Sequence, residues 1–269
     1  MRISGLVLAS SLLAAPAFAG PVAAPIVGGT TATVGQFPTT VALELGGGLC
    51  TGTLLTPDWV LTAAHCIDPA VLGQSQQQIT SSLRVHFDTV NIFSAPGIVV
   101  RATEIIKHPQ FNVNDLGTHD IGLIRLATPV TDRTAVPIIL DPAKVPLGTD
   151  LQLVGFGATS RSNPGSAGVL RLVDQTSVSC AFVGLSDTSL ICWSQTNGRG
   201  KCEGDSGGPS FATIDGQLAQ VGIASFADQQ CAQLGADTRI AAETEFLYQH
   251  VPALQCAADG TCGGACGQG

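Results

Sequence analysis

The residues with the clearest chemical potential lie in the stretch CEGDSGGP at residues 202–209. Glycines on both sides of Ser206 permit backbone angles that a Cβ would forbid, so the loop can turn sharply and leave the serine hydroxyl exposed. The same turn can direct the backbone amides of Gly204 and Ser206 at one point, where they would hold the negative oxygen of an acyl-transfer intermediate. This stretch therefore predicts both a nucleophile and an oxyanion hole.

A serine hydroxyl is a weak nucleophile without a base, so this hypothesis requires a histidine and a carboxylate elsewhere in the chain. The string LTAAHC at residues 61–66 supplies His65, and DIGLIRL at residues 120–126 supplies Asp120. The remaining histidines have no metal-ligand spacing, so we predict surface or edge-strand positions for them and no metal site. They are His86, His108, His119 and His250.

The elements that must position these residues are predicted to be short β-strands. The 269 residues include 32 glycines and 15 prolines, and only 12% are charged, which is typical of tight turns between apolar strands. Apolar, β-branched runs predict strands at residues 41–45, 49–55, 83–93, 98–106, 121–126, 151–156, 170–178, 189–193, 210–214 and 217–226. We also predict a polar surface loop at residues 66–80 and a closing helix at residues 243–251. The chain is thus expected to be all-β.

Four short strings follow one another along the chain, namely IVGG at residues 26–29, LTAAHC, DIGLIRL, and GDSGGP at residues 204–209. From residue 26 to about residue 251, the chain resembles the trypsin-like (chymotrypsin-fold) serine proteases. The resemblance implies two antiparallel six-stranded β-barrels with the active site between them, and a short C-terminal helix. The protease domain would span residues 26–255, with barrels at about 26–135 and 136–255.

The resemblance implies a serine endopeptidase that cleaves peptide bonds through an acyl-enzyme. Ser206 would attack the peptide carbonyl, and His65 would carry its proton to the leaving amine. Asp120 would hold the imidazole in the correct tautomer, and Ser225 would donate a hydrogen bond to that carboxylate. The segment SFA at residues 225–227 would pair with the substrate backbone as an added strand. The substrate is then a protein or peptide, and no cofactor is implied.

The expected specificity pocket departs from that of trypsin, which has an acidic residue six positions before the nucleophile. This chain has Gly200 there, followed by Lys201, so a strong preference for Arg or Lys is not supported. Lys201 would attract an acidic substrate side chain, pair with Asp237 or extend to solvent. Ala227 replaces a glycine that is usual on the pocket wall, so it should narrow the entrance, and Phe226 is expected to lie beside it in the pocket. We expect a preference for small or medium apolar residues, with acidic and basic preferences as alternatives.

All nine cysteines follow residue 19, so a secreted chain would expose them to an oxidising compartment. The resemblance implies three disulfides, Cys50–Cys66, Cys180–Cys192 and Cys202–Cys231. Three more cysteines lie in the glycine-rich tail at residues 256–269. Because their number is odd, one thiol would be free, joined to another chain or used for attachment. Three cysteines without a fourth ligand make a poor zinc site.

Residues 1–19 have the features of a secretory signal peptide. Arg2 precedes an apolar stretch, and the string AFA at residues 17–19 matches a small-x-small cleavage site. The apolar stretch is too short to span a bilayer. We therefore predict that the mature protein is secreted.

A short pro-segment at residues 20–25 is expected to follow the signal. In the family, removal of such a segment frees an isoleucine amine, here Ile26, which pairs with the aspartate before the nucleophile, here Asp205. The pro-segment contains no Arg or Lys, so activation by a trypsin-like protease is not expected. Removal in dipeptide steps and a single cut after Pro25 by another activating protease both remain open.

Charge and motif content limit the other functions. A formal net charge of −8 argues against binding to nucleic acid and to anionic membrane surfaces, and we expect a monomer. A different possibility is a catalytically inactive homologue that acts as a binding protein or inhibitor, because a fold alone does not fix activity. The presence of His65, Asp120, Ser206 and Gly204 favours the enzyme, with ester cleavage as a lesser alternative.

Overall fold

The computed structural model describes residues 25–115 and 117–255. The predicted signal peptide, residues 20–24 of the pro-segment and the cysteine-rich tail at residues 256–269 lie outside the described part. Within it the chain forms two β-sheets that come mainly from consecutive halves. The candidate site residues lie where these halves meet.

A two-residue strand, β1 (Thr30–Thr31), comes first in the chain and pairs with a strand of the second sheet. The next six strands form a closed antiparallel barrel in the order β2-β3-β4-β7-β6-β5, which confirms the first predicted barrel. They are β2 (Thr40–Leu45), β3 (Gly48–Thr56), β4 (Trp59–Thr62), β5 (Arg84–Phe87), β6 (Ile98–Lys107) and β7 (Gly122–Leu126). Fully buried Leu43, Leu61 and Val85 belong to the apolar cluster that fills this barrel.

The second half forms a seven-stranded sheet, so the prediction of a second six-stranded barrel is only partly confirmed. Besides β1, its strands are β8 (Asp150–Gly155), β9 (Arg171–Thr176), β10 (Leu190–Ser194), β11 (Pro209–Ile214), β12 (Gln217–Ala227) and β13 (Leu234–Arg239). The order is β1-β9-β8-β11-β12-β13-β10. The sheet does not close into a barrel, because only an isolated bridge, Val178 to Cys192, joins the segment after β9 to β10.

A separate apolar cluster packs the two halves against each other. It combines Ala42 of β2 with Phe156 and Phe211 of the second half, all of them fully buried. The rings of Phe37 and Phe211 are stacked with centroids 5.8 Å apart. Because protein interiors are close-packed, this contact fixes the position of one half on the other.

Besides Pro25–Gly28, where Ile26 and Val27 have non-helical angles, and several 3₁₀ turns, the described residues form three short α-helices, namely α1 (Pro69–Leu72), α2 (Gln76–Ser82) and α3 (Thr244–His250). The segment predicted as a polar surface loop, residues 66–80, instead contains α1 and most of α2, and a reciprocal capping box between Ser75 and Gln78 begins α2. Phe246 and Leu247 of α3 are buried, as the predicted closing helix requires. Across residues 25–115 and 117–255, no helix is long and apolar enough to cross a membrane.

Three disulfides join the pairs that the resemblance implies, Cys50–Cys66, Cys180–Cys192 and Cys202–Cys231. The first connects β3 to the turn that carries His65, and the third connects the nucleophile loop to the loop at residues 228–233. Two of the three bonds therefore stiffen segments that carry predicted site residues.

Candidate active site

The structure brings His65 and Asp120 into direct contact. His65 lies on a 3₁₀ turn, Ala64–Cys66, just after β4, and Asp120 lies just before the neighbouring strand β7. His65 Nδ1 lies 2.7 Å from Asp120 Oδ2, and the His65 backbone N–H donates to Asp120 Oδ1 at 3.0 Å. Ser225 Oγ donates to Asp120 Oδ2 at 2.6 Å. The carboxylate thus accepts three hydrogen bonds that fix it and the imidazole ring.

The environment keeps Asp120 ionised although its side chain is only 3% exposed. Burial alone would raise the pKa of this carboxyl group, because a low dielectric disfavours charge. The His65 ring and the hydrogen bonds from His65 and Ser225 outweigh burial and lower the pKa below its ordinary value. A negative Asp120 is suited to stabilise an imidazolium on His65.

Ser206 lies in the loop that leads into β11, half-buried on the wall of a pocket. Its carbonyl oxygen accepts a hydrogen bond from Thr51 N of β3 at 2.8 Å, so the first barrel holds the nucleophile loop. Among the described residues, the Ser206 hydroxyl has no hydrogen-bond partner. In particular, no hydrogen bond joins it to His65. Catalytic hydrogen bonds are often long without substrate and shorten in the reacting complex.

Two glycines with positive φ shape the loop in which the oxyanion hole was predicted. Gly204 has φ +92° and Gly207 has φ +78°, and a Cβ on Gly207 would lie 2.1 Å from Thr62 Oγ1. Thr51 Oγ1 donates to the Gly204 carbonyl at 2.9 Å. Among the described residues, the amides of Gly204 and Ser206 donate to no protein acceptor. Two free N–H groups beside a serine can bind a developing oxyanion.

Asp205 is completely buried beneath this loop. Its Oδ1 accepts from Gly157 N at 2.7 Å, and its Oδ2 accepts from Cys202 N at 2.9 Å. Burial raises the pKa of Asp205 to about 6, with these amides and the nearby cations opposing the rise. The Ile26 side chain is also fully buried, in the core of the second sheet. Because Pro25 precedes Ile26 in the chain, the backbone nitrogen of Ile26 is part of an amide and carries no charge.

A pocket of about 500 Å³ opens beside Ser206. Of the residues predicted for it, Lys201, Ser225, Phe226 and Ala227 line the wall. Gly200 and Asp237 lie outside the lining, since Gly200 pairs with Val27 of the N-terminal segment and Asp237 is covered by Lys201.

Sequence reasoning missed several lining residues, namely Arg161, Asp228, Gln229, Gln230 and Ala236. Asp228 Oδ1 accepts from the amides of Ala232, Gln233 and Leu234, so it organises the loop at residues 228–233. An aspartate that opens a polar loop before Cys231 is a recognisable turn signal.

Lys201 pairs with Asp237, which is one of the alternatives that its sequence position left open. Its Nζ lies 2.9 and 3.0 Å from the two Asp237 oxygens and also donates to Ser210 Oγ and the Gly208 carbonyl. Both side chains are almost completely buried. The charge of Lys201 is therefore neutralised within the protein by Asp237.

The predicted surface positions were wrong for His86 and His108, which are 4% and 8% exposed. His108 stacks on His119 with ring centroids 4.2 Å apart, and His119 Nδ1 lies 3.0 Å from Glu243 Oε2. Gln110 N donates to His108 Nδ1, which places the His108 proton on Nε2, facing Glu243. This cluster supports the loop that carries Asp120.

Comparisons with known proteins agree with this geometry. The family model described as Trypsin matches residues 26–246. The chain is 34% identical to brachyurin of Leptuca pugilator over 190 residues, which are 68% of this chain and 80% of that protein. It is 32% identical to serine protease 1 of Rattus norvegicus, over 72% of this chain and 76% of that protein. It is 31% identical to chymotrypsin-like elastase family member 1 of Canis lupus familiaris, over 76% of this chain and 81% of that protein. The chain belongs to the trypsin family of serine endopeptidases.

Proposed function

We propose that this chain is an active, secreted endopeptidase that uses His65, Asp120 and Ser206 as a catalytic triad. The observation that carries the proposal is the Asp120 carboxylate, which holds His65 through two hydrogen bonds. The unpaired amides of Gly204 and Ser206 support the same conclusion. An inactive binding protein or inhibitor has no need for a buried, ionised aspartate fixed against a histidine.

In the proposed reaction, Ser206 Oγ attacks the peptide carbonyl while His65 Nε2 takes its proton. The amides of Gly204 and Ser206 stabilise the negative oxygen of the tetrahedral intermediate. His65 then donates the proton to the leaving amine, and a water molecule hydrolyses the acyl-enzyme by the reverse sequence. Asp120 stabilises the imidazolium throughout. The backbone of residues 225–227 aligns the substrate as an added strand.

We propose a primary specificity for small or medium apolar side chains. The Lys201–Asp237 pair supports this, because a cation with a bidentate buried partner has little attraction left for a substrate carboxylate. A long basic substrate side chain would need an unpaired carboxylate in the pocket, and Asp237 is already paired with Lys201. Ala227 adds a methyl group to the wall. An apolar side chain is then the group that loses least on entering the pocket.

Profiling the activated enzyme on a peptide library tests this pocket. We expect cleavage after Ala, Val, Leu or Thr, with kcat/KM for Arg and Lys lower by about 10-fold or more, the effect of about one unpaired polar contact. The Ser206→Ala protein prepared in parallel controls for contaminating proteases. Dominant cleavage after Arg or Lys would contradict the proposal. Dominant cleavage after Asp or Glu would show that Lys201 exchanges Asp237 for the substrate.

We also propose that removal of the pro-segment at residues 20–25 switches the enzyme on. A freed Ile26 amine would be the cation that buried Asp205 lacks, and it would organise the oxyanion hole. A free α-amine has a pKa near 7.7–8.0, and pairing with Asp205 should raise it. Because the raised group is a cation, the ion pair is present at neutral pH and is lost as alkaline pH deprotonates the amine.

N-terminal sequencing of the secreted, active enzyme tests the switch. We expect Ile26 as the first residue, and a fully active form that begins elsewhere would refute this mode of activation. Intermediates that begin at Val22 or Ala24 would indicate removal in dipeptide steps. Val22→Pro should then block activation, whereas a single cut after Pro25 by an activating protease would be largely unaffected by that substitution.

The remaining features of the proposed function concern partners. The substrate is a protein or peptide, as the family implies. The signal-like residues 1–19 support secretion. The net charge of −8 disfavours nucleic acid and anionic membrane surfaces as partners. We propose a monomer, because the three disulfides close within one chain and the pocket is complete without a second copy.

A further inference from the structure

Arg171 fastens the loop that borders the oxyanion hole. It is the first residue of β9, and it is only 7% exposed. Its Nη1 donates to the carbonyls of Gly157 at 3.2 Å, Ser166 at 2.7 Å and Val169 at 3.2 Å. We call residues 157–168 the border loop. The Gly157 carbonyl lies at its start, the Ser166 carbonyl near its end, and the Val169 carbonyl directly after it. One guanidinium nitrogen therefore holds both ends of that loop together.

The border loop is in direct contact with the nucleophile loop. Gly157 N donates to Asp205 Oδ1, and Ala158 N donates to the Glu203 carbonyl at 2.7 Å. A Cβ on Gly157 would lie 2.4 Å from Asp205 Cγ, and a Cβ on Gly204 would lie 3.0 Å from Gly157 Cα. Gly157 thus accepts a hydrogen bond from Arg171 on one side and donates one to Asp205 on the other.

Arg171 also has positive charge that no carboxylate neutralises. Within the described residues, no carboxylate oxygen forms an ion pair with it, and its buried Nε has no hydrogen-bond partner. The two cations close enough to favour the charged form of Asp205 are Lys201 and Arg171, and Lys201 is already paired with Asp237. An arginine remains charged even when buried. Arg171 is therefore the cation near Asp205 that has no carboxylate partner of its own, as long as the Ile26 nitrogen is still part of an amide.

We propose that Arg171 is a positioning residue that keeps the oxyanion hole formed in the unprocessed chain, through Gly157 and Asp205. This inference rests on the proposed function of Ser206 and its neighbours. It has a specific consequence, since the precursor would then retain measurable activity that depends on Arg171. After processing, the Ile26 amine supplies a second cation, so the mature enzyme should depend on Arg171 less.

The experiment compares the wild type, Arg171→Gln and Arg171→Lys in two forms, one beginning at Gly20 and one at Ile26. N-terminal sequencing after each assay shows whether the precursor stayed unprocessed. Active-site titration gives kcat per competent site, and a peptide aldehyde that adds to Ser206 reports on the oxyanion hole. Arg125→Gln is the matched control, because Arg125 is exposed on the first barrel.

We expect Arg171→Gln to lower precursor kcat by about 10-fold to 100-fold, which corresponds to losing a charge-assisted contact, with little change in KM. Aldehyde affinity should fall in parallel. In the mature form, the loss of kcat in Arg171→Gln should be at least several-fold smaller than in the precursor. Arg171→Lys retains the positive charge and should therefore keep part of the precursor kcat that Arg171→Gln loses. Arg125→Gln should change none of these quantities.

Other outcomes overturn the proposal. An equal loss in both forms, or a lower melting temperature with unchanged kcat per titrated site, would make Arg171 a purely structural residue. If Arg171→Gln does not fold, the wild-type precursor still decides, because failure to bind the aldehyde would show that its oxyanion hole is not formed. A mature wild type without turnover would instead refute the proposed function.

Discussion

Replacing Ser206 by alanine is expected to lower kcat by about 10⁴-fold or more and to leave the fold intact. The large effect follows because the nucleophile is removed, whereas the oxyanion amides and the pocket remain. The fold should persist because the Ser206 hydroxyl has no hydrogen-bond partner in the described part of the chain. The backbone contact from Thr51 N to the Ser206 carbonyl does not involve the side chain.

Steady-state hydrolysis of a peptide substrate and labelling with an active-site phosphonate measure this effect. Thermal unfolding checks that the variant is folded. Ser94→Ala is a suitable control, since Ser94 is exposed and uses only its backbone amide in a hydrogen bond. If the Ser206→Ala protein kept its activity, the nucleophile would be misassigned. If the Ser206→Ala protein lost both activity and folding, the assignment of Ser206 as the nucleophile would rest on phosphonate labelling compared among the variants that do fold.

Asp120→Asn is expected to have the second large effect, a fall in kcat of about 10⁴-fold at neutral pH. Asp120 Oδ1 accepts from the His65 backbone N–H. This backbone group can only donate, so the oxygen of the asparagine amide must occupy the position of Oδ1. The amide nitrogen then faces His65 Nδ1, where Oδ2 had accepted. This forces a proton onto His65 Nε2, which can no longer accept one from Ser206.

The kinetic signature distinguishes this role from a structural one. We expect KM to change little, since Asp120 does not line the pocket, while kcat carries the loss. Ser225→Ala is the matched comparison, because it removes one hydrogen bond to the same carboxylate and keeps its charge. That variant should lose about 10-fold or less. Similar losses in both variants would contradict the tautomer argument.

Much of the fold could be predicted because apolar, β-branched runs mark strands, but three exceptions are instructive. Residues 83–93 were predicted as one strand, and the chain turns at Asp88 with φ 54°, a local angle that hydrophobicity does not encode. The strand Leu234–Arg239 was missed because it buries Asp237 and Arg239, which have partners distant in sequence. Strand β4 has only four residues, too few for a periodic signal.

The candidate site was predictable to the extent that it depends on local strings. Glycine positions, the His65 turn and the order of motifs are visible in the sequence. The direction of Lys201 is not, because it depends on whether Asp237 lies within 3 Å, and that distance is set by the pairing of β12 with β13. Arg171 gave no signal either, since its acceptors are backbone carbonyls.

Thr51 connects the two halves of the chain at the candidate active site. From β3 it contacts the carbonyls of Ser206 and Gly204, and its hydroxyl accepts a hydrogen bond from Phe156 N in the second half. A shift between the halves of more than a few tenths of an ångström would strain all three bonds together. Alignment of the nucleophile is therefore kept or lost as a whole. Length changes in exposed segments such as residues 75–78 would leave these three hydrogen bonds in place, so the surface can vary without altering the chemistry.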